Sequence, residues 1–140
     1  MRFWDSSALV PPPVAEPSSK SLIALAEAEP VLVTWWASMV ECASAIARRE
    51  REGRMTVAGA NVSLLRLQQL SDNWNEVMPS NRLRRTALRL LGSHPLRAAD
   101  ALQLAASLTA GADQDRYPEF VTLDDRLALA ARREGLTVVP

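Results

Sequence analysis

Short apolar runs of strand length alternate along this chain with segments of helical spacing, and two of the runs end in an acid. Val31-Leu-Val-Thr34 has the continuous apolar character of a strand buried on both faces. Arg2 to Trp4, Glu119 to Leu123 and Leu136 to Val139 are further strand candidates, with Trp74 to Met78 a weaker one. Helices are expected from Ser18 or Ser19 to just before Pro30, and from Trp35 to Glu52 with Gly53 as the stop. Thr56 opens another through Leu70, and Ser80 caps one that ends at Gly92 and Pro95. Leu96 to Ala110, closed by Gly111, is the strongest; the last opens at Asp124 or Asp125 and stops at Gly135. Asp5 to Ala8 reads as a turn, and Pro11-Pro12-Pro13 as a loop. Strands alternating with helices predict an α/β chain: a three-layer α/β/α sandwich around a mostly parallel sheet, as one domain over 1–140.

The 140 residues suffice for a sizeable core. Sixteen basic and sixteen acidic residues cancel, so no global field draws the chain onto nucleic acid, and any such contact needs a local patch. Cys42 is the only cysteine, which excludes an internal disulfide and fits a reducing compartment. Asp5 and the three prolines interrupt the start in a way no secretory leader does. No run approaches the ~20 apolar residues of a membrane span. The expectation is a soluble, cytoplasmic protein without a membrane partner.

Four acids stand out. Asp5 follows the first strand, and in open parallel sheets ligands sit outside the carboxyl ends of the strands. Asp124, with Asp125 beside it, follows a later strand in the same way, although a plain helix N-cap explains either residue. Glu41 shares a helical face with Ala37, Ser38, Ser44 and Ala45, all small, where a lone carboxylate is costly to bury unless a charge meets it. The bland alternative is an exposed helix residue. Asp100 lies in the first turn of the most apolar helix, where the helix dipole alone favours an acid and Arg97 is near enough to neutralise it.

Gathering like charges costs stability unless a cation neutralises them. Carboxylates without a histidine–cysteine set point to a hard ion, Mg²⁺ or Mn²⁺. Such an ion polarises a phosphoryl oxygen and activates a bound water. Ser6, Ser7 and Thr122 are placed to orient a water or a phosphate. His94, the only histidine, reads as a surface loop residue, and Cys42 as core. Trp4, Trp35, Trp36 and Trp74 are candidates for stacking on bases, with packing expected for at least two. Arginines at 48, 49 and 51, from 82 to 89, and at 132 and 133 suit phosphate, against a default of solvated helix faces. A receiver-like phosphoacceptor would show a lysine near the last strands, and the only lysine is Lys20.

Asp5-Ser-Ser-Ala-Leu-Val10, the helix with Glu41, Leu96-Arg-Ala-Ala-Asp-Ala-Leu-Gln-Leu-Ala105 and Phe120-Val-Thr-Leu-Asp-Asp-Arg-Leu127 together resemble the PIN domain. In particular they resemble the VapC toxins of bacterial toxin–antitoxin pairs, over nearly the whole chain. That resemblance implies an α/β/α sandwich with an acidic Mg²⁺ or Mn²⁺ pocket. It implies an endoribonuclease that cuts RNA, often tRNA or ribosomal RNA, leaving a 5′-phosphate and a 3′-hydroxyl. It also implies a homodimer and a VapB-like antitoxin whose tail crosses the site. Carried over by position, the catalytic and metal-binding acids are Asp5, Glu41, Asp100 and Asp124, supported by Ser7 and Thr122. Gln103 stands where many relatives carry histidine, a departure expected to matter little to the metal. The triple proline is another departure, beside the expected pocket. The alternative is a non-catalytic PIN-like module that binds RNA or protein.

Overall fold

The computed structural model describes residues 1–10 and 17–140. In chain order the elements are β1 (Arg2–Trp4), α1 (Ser6–Leu9), α2 (Pro17–Glu27), β2 (Leu32–Trp35), α3 (Ser38–Arg51) and α4 (Val57–Ser71). They continue with β3 (Trp74–Val77), α5 (Asn81–Ser93), α6 (Ala98–Ala112), β4 (Glu119–Val121), α7 (Asp125–Arg133) and β5 (Val138–Val139). The strands form one sheet in the order β3-β2-β1-β4-β5, and every pairing is parallel. The expected α/β/α sandwich is the fold.

The differences from expectation are local. The residues after Asp5 form a short helix, α1, rather than a bare turn. Trp35 belongs to β2, so α3 starts three residues later than its pattern suggests. α2 starts at Pro17, ahead of Ser18 and Ser19. β4 ends at Val121 and β5 spans two residues, shorter than their apolar runs. The expected triple-proline loop lies outside the described residues.

Central strands explain the short, doubly apolar runs. Phe3 pairs in register with Phe120, their rings stacked at 5.7 Å on one face of the sheet. Trp4 pairs with Val121 on the other face, and all four are buried. Phe3 and Phe120 pack with α5, α6 and α7 through Leu83, Leu90, Leu104 and Leu127. Trp4 and Val121 pack with Leu9, Leu22, Cys42, Ile46 and Leu67 from α1 to α4. Each fully buried side chain of this size contributes about 1.5–3 kcal/mol. α6 is buried on nearly every face, which its alanine and leucine content permits.

The order of strands decides where a site can form. The chain moves outward from β1 through β2 to β3, then returns to the other side of β1 for β4 and β5. The switch point therefore lies between β1 and β4, where the connections leaving the two strands diverge and a crevice opens at their carboxyl ends.

Candidate functional site

The two strands at that crevice end in similar turns. Asp5 is the N-cap of α1: its Oδ2 accepts from Ser7 N at 3.2 Å. Asp124 is the N-cap of α7, its Oδ1 accepting from Leu127 N at 2.8 Å. Two hydroxyls tie the turns together. Ser7 Oγ donates to Asp5 Oδ2 at 2.6 Å and accepts from Leu123 N. Thr122 Oγ1 donates to the same Oδ2 at 2.9 Å and accepts from Asp124 N. Ser7 and Thr122 thus hold Asp5 while fixing the backbone that carries Asp124.

Glu41 arrives from α3, in its first turn. Ser6 Oγ donates to its Oε2 at 2.8 Å, and Gln103 Nε2 from α6 donates to the same atom at 2.9 Å. Asp100 arrives from the first turn of α6. Asp5, Glu41, Asp100 and Asp124 all line one pocket of about 550 Å³, with Ser6, Ser7 and Arg48. Asp125 is exposed and does not line it.

Electrostatics in the pocket follow from burial and like charge. Asp5 is 3% exposed, and burial pushes its carboxyl up to about 6. The Ser7 and Thr122 hydrogen bonds hold it down, and Glu41 adds a smaller upward push. Asp100 is raised first by burial and then by the nearby Asp124, with Arg97 opposing. Cys42, buried against Ser6, is pushed up to about 12 by burial and then by Glu41 and Asp5, so it stays a thiol.

The donor set suits a hard divalent cation. Its side chains are carboxylates and hydroxyls, without imidazole or thiolate in the lining. Among the described residues, the hydrogen bonds to Asp5 and Glu41 all fall on one oxygen of each, Oδ2 and Oε2. The second oxygens are left for a ligand. Among the described residues, no group of three Asp, Glu, His or Cys side chains is close enough to enclose one ion. The pocket therefore fits an ion that keeps several waters and takes one or two carboxylates, as Mg²⁺ commonly does.

Other candidates separate clearly. Trp4, Trp35 and Trp74 are buried in the core, whereas Trp36 is 49% exposed, edge-on to Trp35. His94 lies in the expected loop after α5, partly exposed and away from the pocket, but its side chain is 7% exposed and bonded to Glu134 at 2.7 Å. Arg89 pairs with the same Glu134 and Arg82 with Asp113, while Arg48 is among the residues lining the pocket. Gln103 is the residue the sequence underrated. Only its polarity within an otherwise apolar stretch of α6 hinted at a partner.

Among the described residues, no helix is long and apolar enough to cross a membrane. A family model described as PIN domain matches residues 3–133. No curated protein matches the chain. Among solved structures, FitAcB from Neisseria gonorrhoeae is similar with a TM-score of 0.72 and 14% identity, covering 100% of this chain and 97% of that one. FitAB bound to an IR36 DNA fragment is similar with a TM-score of 0.67 and 13% identity, covering 99% and 94%. A toxin–antitoxin complex from Klebsiella pneumoniae has a TM-score of 0.60 and 16% identity, covering 91% of each chain. At these identities the likeness speaks for the fold.

Proposed function

The chain belongs to the PIN domain family, and from that premise we propose that it is a metal-dependent endoribonuclease toxin of the VapC type, acting as one domain. The observation that carries this is the pocket itself. Four carboxylates from four separate elements line one crevice at the switch point of a parallel sheet. Of Asp5, Glu41 and Asp100, one or two would bind Mg²⁺ or Mn²⁺ directly and the rest through its water shell, with Asp124 on that shell or on a second ion. The bound ion would supply charge neutralisation at the phosphoryl oxygens and a more acidic water. Ser7 and Thr122 keep Asp5 oriented, and Arg48 on the pocket wall suits a substrate phosphate.

Toxin–antitoxin and FitAB complexes among the similar structures support an antitoxin partner of VapB type. The resemblance stated above supports a homodimer, an RNA substrate such as tRNA or ribosomal RNA, and a cytoplasmic setting. A second proposal, a non-catalytic PIN-like module for RNA or protein, draws on one observation. Among the described residues, no three metal-binding side chains stand within reach of a single ion.

The deciding experiment incubates purified, antitoxin-free protein with total cellular RNA in Mg²⁺, in Mn²⁺ and in EDTA, beside Asp100→Asn. Discrete fragments that need the ion and vanish in the variant are expected. Folded protein that cuts nothing under any condition would leave the binding module as the better account.

A further inference from the structure

Gln103 is wholly buried on α6, one turn beyond Asp100, with its amide between two residues of α3. Nε2 donates to Ser38 Oγ at 3.0 Å and to Glu41 Oε2 at 2.9 Å. Oε1 is buried with no partner among the described residues. Turning the amide over would set its oxygen against the Glu41 carboxylate, so the carboxylate dictates which end points where. An apolar side chain of this size would avoid the cost of the orphaned carbonyl. The amide is thus a poor choice for packing and a good one for holding a carboxylate.

Beyond Ser38 the bonds continue. Thr34 Oγ1 lies 2.8 Å from Ser38 Oγ and 2.7 Å from the carbonyl oxygen of Trp4. Thr34 Oγ1 donates towards both acceptors, and Ser38 Oγ accepts from Thr34 on one side and from Gln103 on the other. The bonds thus link Gln103, through Ser38 and Thr34, to the backbone one residue before Asp5. Thr34, Ser38 and Gln103 are all fully buried, which strengthens each bond in the series.

We propose that Gln103 is a positioning residue for Glu41: it holds Oε2 against Ser6, leaves Oε1 to the pocket, and links α3 and α6 to the strand end that carries Asp5. Its consequence for ion binding rests on the nuclease proposal above; its consequence for the pose of Glu41 does not. Ser6 alone would hold the carboxylate by a single bond and let it swing.

The test pairs two readouts on wild type and Gln103→Leu, with Gln103→Met as a second variant in case leucine's branching prevents folding. Metal-free crystal structures read the pose directly. Glu41 is expected to leave its 2.8 Å contact with Ser6 in the variants, while the thermal midpoint holds or rises because the orphaned carbonyl is gone. A merely structural Gln103 would do the reverse, and an unmoved Glu41 overturns the proposal. Calorimetric titration with Mn²⁺ should show binding about 10- to 100-fold weaker in the variants, the usual effect of removing an outer partner of a metal ligand. Unchanged affinity would also overturn it. Wild type that binds no Mn²⁺ would sink the nuclease proposal, and the pose of Glu41 would then decide the role of Gln103 alone. Failure of both variants to fold would assign Gln103 to the core.

Discussion

The turn after β1 and the turn after β4 use the same local device and differ in what surrounds it. Each places an aspartate at a helix N-cap beside a hydrogen-bonding hydroxyl. Asp124 spends an oxygen on its own helix and stays partly open to solvent. Asp5 is nearly sealed, takes three hydrogen bonds on one oxygen, and has its carboxyl pushed up to about 6 by burial. A cap can serve helix stability alone. A carboxylate buried at such a cost, with its other oxygen left over, is placed for something that neutralises it.

The largest expected effect separates the two aspartates by activity. Asp5→Ala should lower RNA cleavage by ~100-fold or more while the protein stays folded. If the purified variant cuts as fast as wild type, Asp5 is not in the site.

Stability should sharpen the contrast. A carboxyl raised from 3.8 to about 6 favours the folded state most below pH 4, and that stability is lost as pH rises through 6. The loss amounts to about 3 kcal/mol for a group buried this deeply. Asp5→Asn keeps an acceptor for Ser7 and Thr122, so metal-free protein should gain up to about 3 kcal/mol above pH 6. Denaturant unfolding at pH 4 and pH 7 measures this; an unchanged difference between the two pH values would refute the burial strain.

Asp124 should behave as a cap first. Asp124→Ala is expected to cost about 1 kcal/mol, and Asp124→Ser to restore that stability without restoring cleavage. Recovery of both together would reduce Asp124 to a cap.

Asp125→Ala, the smallest effect, should stay within ~0.5 kcal/mol and leave cleavage unchanged. A loss of activity matching that of Asp124→Ala would move the fourth acid by one position.

Much of the molecule was legible before folding. The caps at Thr56, Ser80 and Asp124 sit where hydroxyl and acid residues precede helical patterns. Gly53, with φ of 72°, ends α3 as glycine does after a helix. Boundaries were less legible. Trp35 fits a helix start as well as a strand end, and its place in β2 is set by pairing with Val77. His94 reads as a surface loop residue and stays partly exposed, but the sequence did not show that Glu134, forty residues away, binds its ring.

By itself the sequence determined the alternation of strands and helices, the acids that follow two strands, and the apolar character of α6, because these rest on contacts within a turn or two of chain. Only the tertiary structure decided that β4 lies against β1, that Asp5 rather than Asp124 is the sealed acid, and that Gln103 meets Glu41 across 62 residues. Those are non-local pairings. They exist only once the strands have assembled in the spatial order β3-β2-β1-β4-β5, and no spacing along the sequence encodes them.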